Sequence, residues 1–462
     1  MSDAVSRSRL GRLGKMAKLA RRALPVAAAR WRESGDDEQT ASDVLLASSA
    51  LAAQEMLETL GELKGLALKV GQMLSYMDGA LPESIKPTFQ SALVKLQSQA
   101  PAMTWEAIES VLHEELGRLD EHFAHIEVTP LAAASIGQVH RARLHDGSEV
   151  VVKVQYPGVD EAIQADMSNL GFMKGMAAPM LAMLGASGNT KMAGEVIGEL
   201  KARLLEECDY EREARMQAIF AQHLAGDPVL YVPRVYPEHS GRRVLTTEYV
   251  AGRTLEQVGA PDSGVDQQSK NRWAAALCRV TSYGLYEWGL LHADPHPGNY
   301  IFMDDGRVCL IDFGCVKEMP EARRVDMRGY VRAAIVATRS GDPRDWDDFD
   351  RRLVDALKFD PRQEKVWEFS RGFLLYCLEP IIHDRPHHFS ESYARGSVDL
   401  VMQGKRDMLF PNGRRIPTVP KMPALPPDYV MVNRLQWGFF SILRELDATV
   451  NWYAELPPDL RA

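Results

Sequence analysis

Two short acidic motifs carry the chemistry this chain can be read for. They are His292-Ala293-Asp294-Pro295-His296-Pro297-Gly298-Asn299 and, farther on, Asp312-Phe313-Gly314. The ordered set D-x-x-x-x-N followed by D-F-G suits phosphoryl transfer. Asp294, with no metal duty, would orient an acceptor hydroxyl. Asn299 and Asp312 offer hard oxygens to Mg²⁺, an ion that keeps several waters and needs few protein ligands. A lone D-F-G would be an ordinary acidic turn; the spaced pair is not.

Each motif follows an apolar run, Gly289-Leu290-Leu291 in one case and Val308–Ile311 in the other. The turn Asp304-Asp305-Gly306 lies between Ile301-Phe302 and the second run. That pattern predicts a hairpin bringing Asp294, Asn299 and Asp312 to one end of two short strands.

Upstream, Ile136–Leu144 and Glu149–Gln155 read as strands joined by the turn His145-Asp146-Gly147. Before them runs a small-residue loop containing Ala132, Ala133, Ala134 and Ser135, where backbone N–H groups could approach phosphate oxygens. Lys153 closes a Val-Val-Val-Lys run, from which a strand lysine can reach the α- and β-phosphates. The bland alternative is a lysine marking the solvent side of an edge strand. A phosphate-binding lysine needs a carboxylate from a helix. Leu204–Ala214, with Glu206, Glu207, Asp209, Glu211 and Glu213, is the dense acidic supply between the strands. Strands are expected again at Val232–Tyr236 and Arg243–Tyr249. Glu248-Tyr249-Val250 then falls where a linker between two lobes would lie, which makes Glu248 and Val250 nucleotide-binding candidates.

With 462 residues the chain has room for roughly two or three domains. Its 45% hydrophobic and 25% charged content is that of a soluble globular protein, and the net charge of −9 argues against a nucleic-acid partner. Five cysteines, none in a C-x-x-C pair, fit a reducing compartment and a cytoplasmic location. No run reaches the length of a membrane-spanning helix; Gly171–Ala186 is short and carries Lys174. Residues 1–33 are basic, with Leu10, Leu13, Met16 and Leu19 on one side of a helical register. Three readings of that segment stand: a solvated tail, a helix in peripheral contact with a membrane surface, or a transit peptide.

From Ser42 to Leu116 the pattern is helical, and Lys69 and Gln72 share one face of it. Residues 160–225 also read as helices, as do Glu321–Arg339, 346–356 and 365–382. A proline-rich extended stretch follows from Pro411 to Pro427, then an aromatic helix from Val432 to Leu446. His383, His387 and His388 lack partners at metal spacing and read as surface residues.

Taken together the motifs resemble the UbiB family of atypical kinases, also called ABC1, ADCK or Coq8, from about Leu63 to the C-terminal helix. Lys69-Val70-Gly71-Gln72 matches the family's K-x-G-Q, and Ala132–Gln138 its alanine-rich nucleotide loop. Lys153 matches its lysine, Glu207-Cys208-Asp209 its E-x-D, His292–Asn299 its H-x-D-x-H-P-G-N, and Asp312 its metal aspartate. The resemblance implies an α+β, bilobal protein-kinase-like fold with an N-terminal helical extension packed on the active site. The expected divisions are 1–40 (basic segment), 41–125 (K-x-G-Q extension), 126–250 (N-lobe with a helical insertion) and 251–462 (C-lobe). It also implies Glu213 as the ion-pair partner of Lys153 and Glu207 and Asp209 beside the nucleotide. Lys69 and Gln72 would project where a peptide substrate lies in ordinary kinases.

Ala293 replaces the Arg of H-R-D and no A-P-E follows Gly314, which counts against protein phosphorylation. Met216 stands where relatives often continue E-A-x-N, and the C-terminal membrane helix of some bacterial relatives is missing. The implied activity is ATP binding with Mg²⁺, then hydrolysis or phosphoryl transfer, linked to a quinone precursor or other isoprenoid lipid. The alternative is an ATP-gated scaffold or lipid-extraction module that transfers no phosphate. An aminoglycoside- or choline-type phosphotransferase explains neither K-x-G-Q nor the alanine loop, and a conventional protein kinase stands last.

Overall fold

The computed structural model describes residues 103–134, 136–159, 205–358, 362–393, 396, 400 and 427–461. Lys69, Gln72, Ser135, the basic segment 1–33 and the proline-rich stretch before Pro427 lie outside them. The chain divides into two compact units. Of the described residues, those up to Arg215 together with Arg234–Tyr249 make the first, and Met216–Pro233 together with those from Val250 onward make the second.

The first unit opens with α1 (Trp105–Leu116), which Gly117 ends at φ +80°, and α2 (Leu119–His122). The strands β1 (His125–Ile126), β2 (Ala132–Ala133), β3 (Gly137–Arg143) and β4 (Glu149–Gln155) follow. This unit also takes in the first turns of α3 (Tyr210–His223) and, after β5 (Leu230–Tyr231), which belongs to the second unit, β6 (Val244–Glu248). The sheet of this unit runs β1-β3-β4-β6, with β2 also paired to β3. Alternation along β4 decides its faces. Val150, Val152 and Val154 are buried in a core with Ile108, Val111, Leu112 and Phe123, while Val151 and Lys153 point the other way. Each such buried valine contributes about 1.5–3 kcal/mol. Strand β4 is bracketed on both sides, Lys153 pairing with Val139 of β3 and Leu245 of β6. This overturns the edge-strand alternative for Lys153.

The expected strand at Val232–Tyr236 is also corrected. The strand is Leu230–Tyr231, in the second unit, pairing in parallel with Val308 and Cys309, and Val235 makes only an isolated bridge to Thr247. Pro233 has no N–H to donate, so a continuous ladder cannot cross it. Asp227 starts β5 instead, its Oδ1 accepting from the N–H groups of Val229 and Leu230, both at 2.8 Å.

In the second unit α4 (Leu255–Gly259) begins with a capping box. The Thr254 side chain accepts from Gln257 N, and the Gln257 side chain from Thr254 N. The chain continues through α5 (Gln267–Tyr283) and a π-helical turn at Gly284–Trp288. Four short strands follow: β7 (Leu290–His292), β8 (Tyr300–Phe302), β9 (Val308–Leu310) and β10 (Val316–Glu318). Then come α6 (Glu321–Ser340), α7 (Pro343–Leu357), α8 (Glu364–Ile382), β11 (His387–His388), α9 (Pro427–Glu445) and β12 (Thr449–Val450). Phe302, Phe313, Phe349, Phe389, Phe439 and Phe440 fill the core.

The histidines near residue 385 are not all surface groups. His388 is exposed and bonds Asp447, but His387 packs its ring 4.9 Å from Phe389 and 4.3 Å from Tyr393. Pairing of β11 with β12 is what draws it inward. All five cysteines are free thiols. Among the described residues no helix is long and apolar enough to cross a membrane.

Candidate active site

In the first unit Lys153 Nζ donates to both carboxylate oxygens of Glu213, at 2.8 and 3.0 Å. The Glu213 residue is 2% exposed, so this is a desolvated charge pair whose members need one another. The helix that presents Glu213 is started by Asp209, whose Oδ1 accepts from Arg212 N at 2.8 Å. Glu207 is buried beside this turn. Two residues beyond Lys153, on the same face of β4, Gln155 donates its amide to Cys208 O at 2.8 Å. Tyr210, which sequence reasoning missed, lies under the lysine, with Nζ 5.0 Å from its ring centroid. No spacing rule singles out that tyrosine inside an acidic run.

The alanine loop forms a hairpin. Ala132 and Ala133 pair with Val139 and Gln138, both alanines are exposed, and Ala134 N donates to Gly137 O at 2.9 Å. Gly137 is required sterically, since a Cβ there would overlap the carbonyl oxygen of Val154. Glu248 ends β6, its carboxylate accepting from Arg234 N at 3.2 Å; Val250, in the second unit, is buried.

In the second unit the main chain gathers the acidic loop. The Asp294 carbonyl accepts from His296 N at 2.8 Å and from Asn299 Nδ2 at 2.9 Å. Asn299 precedes β8 directly, and its own carbonyl accepts from Ile311 N at 3.1 Å, which brings the chain before Asp312 alongside. Asp312 Oδ1 accepts from Gly314 N at 3.0 Å, while its carbonyl takes the Nε2–H of His292 at 2.6 Å. Pairing of β7 with β10 carries the loop between them, His292 opposite Val316. Behind the loop Phe313 is fully buried, 5.6 Å from the His292 ring and 5.2 Å from Phe220. Gly438 of α9 lets Pro295 approach where any Cβ would overlap its ring. Tyr300 is buried close by. Burial, and then the Asp294 carboxylate, push its hydroxyl's pKa well above the ordinary value.

The donor set fits Mg²⁺. Asn299 commits its Nδ2 to Asp294 O, so Oδ1 is the end that could meet a cation, and the Asp312 carboxylate offers a second hard oxygen. Among the described residues no three His, Cys, Asp or Glu side chains gather as a metal cluster. One amide and one carboxylate suit an ion whose remaining positions go to phosphate oxygens and water.

The chain matches the ABC1 atypical kinase-like domain over residues 95–340. It is 35% identical over 290 residues to the mitochondrial atypical kinase COQ8B of Danio rerio, covering 62% of this chain and 44% of that protein. To the mitochondrial atypical kinase COQ8 of Saccharomyces cerevisiae it is 30% identical over 347 residues, covering 74% and 66%. It spans less than half the length of the zebrafish and rat COQ8B proteins it matches. Among solved structures, Rv3197 from Mycobacterium tuberculosis, determined with erythromycin, aligns with a TM-score of 0.58 at 29% identity. The alignment covers 89% of this chain and 97% of that one. The domain match takes in more than half of the sequence, and the chain belongs to the ABC1 (UbiB/COQ8) family of atypical kinases, with the kinase-like fold of that family.

Proposed function

We propose that the chain binds ATP with Mg²⁺ and hydrolyses it or passes its phosphoryl group to a small lipid-linked acceptor in ubiquinone or isoprenoid metabolism. The observation that carries the reading is the buried, two-oxygen pairing of Glu213 with Lys153, which holds a strand lysine ready for phosphate. The mitochondrial COQ8 relatives support the ubiquinone link.

In this reading Lys153 binds the α- and β-phosphates, and the β2–β3 hairpin with Ala132, Ala133, Ala134 and Ser135 covers them. Glu207, Asp209, Glu248 and Val250 complete the nucleotide's surroundings. Asn299 and Asp312 hold Mg²⁺, which would neutralise phosphate charge when bound. Asp294 orients the attacking hydroxyl or water and accepts its proton. The Asn299 amide fixes the backbone carbonyl of Asp294, so the loop carries its carboxylate in one setting. Lys69 and Gln72 take the acceptor side in place of a peptide. The relative solved with erythromycin supports a bulky organic molecule, rather than a peptide, as the second ligand.

The test is ATP turnover by the full chain and by Lys153→Ala, Asp294→Asn and Asp312→Asn, with lipid extracts screened for a phosphorylated product. Turnover that survives all three substitutions overturns the proposal. Tight nucleotide binding without turnover or product favours the scaffold alternative.

A further inference from the structure

We propose that Tyr210 is a positioning residue for Lys153, its ring face serving as the seat of the lysine ammonium. For its kinetic consequence, this rests on the reading that Lys153 meets phosphate. The Nζ that donates to both Glu213 oxygens also lies over the Tyr210 ring, 5.0 Å from its centroid. Tyr210 and Glu213 are three residues apart on α3, so one helical turn presents a carboxylate and a π face to a single cation.

The seat itself is rigid. Tyr210 is 1% exposed, and its N–H donates to Arg242 O at 3.3 Å. Asp209 caps the turn, and the Gln155 amide ties Cys208 O to the face of β4 that carries Lys153. A lysine head group is a compact charge on a flexible stem, so the groups packed around it decide where it rests. The electron-rich ring face adds a second constraint. It favours the cation by a factor of about 2 in an exposed setting and about 30 in a dry one. Lys153 keeps 20% of its side chain exposed, so it remains open to reagent and ligand while its partners are buried.

Two readouts test this in the full chain: acylation of Lys153 by acetic anhydride at fixed pH, followed by mass spectrometry, and KM and kcat for ATP. Without the ring the ammonium is less favoured, so Tyr210→Leu is expected to acylate Lys153 about 2- to 30-fold faster. KM for ATP should rise by a similar factor, with kcat moving less. Tyr210→Phe keeps the ring face and should stay within about twofold of wild type on both. An unchanged acylation rate in Tyr210→Leu, or a Tyr210→Phe that shifts as far as Tyr210→Leu, overturns the proposal.

If Tyr210→Leu fails to fold, phenylalanines carrying increasing numbers of fluorines at position 210 drain the ring face at nearly constant volume. The acylation rate should then climb with each fluorine, and a flat series overturns the proposal. The phosphate reading fails separately: if Lys153→Ala turns over ATP as wild type does, that reading is lost, while acylation still decides what Tyr210 does.

Discussion

The two units hold their candidate residues by contrasting means. Lys153 is fixed by side chains drawn from β4 and α3, its carboxylate partner 60 positions away in sequence. Asp294, Asn299 and Asp312 are fixed by main-chain groups within one stretch, from His292 to Gly314. A geometry built on one buried ion pair is as fragile as either charge. A loop held by its own carbonyls and N–H groups outlasts the exchange of a carboxylate for an amide. Substitutions in the second unit should therefore isolate chemistry, whereas those in the first mix chemistry with stability.

The largest expected effect follows directly. Asp294→Asn should lower ATP turnover by a factor on the order of 10²–10⁴, the usual loss when a positioned base is neutralised. Asp312→Asn should lower it as well, by weakening the hold on Mg²⁺. Both should melt within a few degrees of wild type, because an Asn at 312 can still accept from Gly314 N and the His292 bond goes to a backbone carbonyl. A large drop in melting temperature for either variant would show that the carboxylates, not the main chain, hold the loop.

Glu213→Gln should show the reverse pattern. The lysine loses its counter-charge in a site where the partner was 2% exposed, at a cost of about 3 kcal/mol. Amide hydrogen exchange should rise in β3, β4 and the first turn of α3 and stay unchanged in α5 and α6. A loss below about 1 kcal/mol would mean that water had already compensated the pair.

How much of this was legible in the sequence follows from the same contrast. The second-unit motifs were readable because their partners are local: Asp294 and Asn299 sit in one loop, and Asp312 leaves the hairpin strand that Asp304-Asp305-Gly306 announces. In the first unit the strand carrying Lys153 was readable from its β-branched run. The partner Glu213 came from resemblance, because a carboxylate 60 residues away leaves no periodic trace. Tyr210 and Gln155 were invisible for the same reason, their roles existing only once α3 lies against β4. The strand expected at Val232–Tyr236 shows the converse error. Apolar composition suggested a ladder, but Pro233 and the Asp227 cap decided where pairing could start.

A smaller effect belongs to the sheet under the alanine loop. Gly137→Ala places a methyl group on the Val154 carbonyl, in a ladder that has no room to yield without shifting β3 from β4. A destabilisation of about 2 kcal/mol is expected, typical of overpacking in a core. It should appear as a lower denaturation midpoint, with exchange rising at the β3–β4 pairs first. A neutral result would mean that the hairpin is free to shift, and the rigid cover proposed for the phosphates would be lost.

The smallest effect is a pH dependence, and it sits where the second unit also relies on a side chain. Asp227 Oδ1 caps β5 while its Oδ2 accepts from Arg279 Nη2 at 2.8 Å. Burial alone would raise the pKa of this carboxyl. The Leu230 and Val229 N–H groups and the Arg279 guanidinium outweigh burial and hold it below the ordinary value. A folded-state value lowered in this way contributes stability that is fully present above the unfolded value, about 3.9, and lost as pH falls through the folded one. Asp227→Asn should thus cost about 1.5 kcal/mol at pH 7 and at pH 5, with the deficit shrinking in the acid range below about pH 4. Urea midpoints of both proteins across that range decide the matter. A deficit that stays constant down to pH 3 would mean that the shape of the side chain, rather than its charge, starts β5.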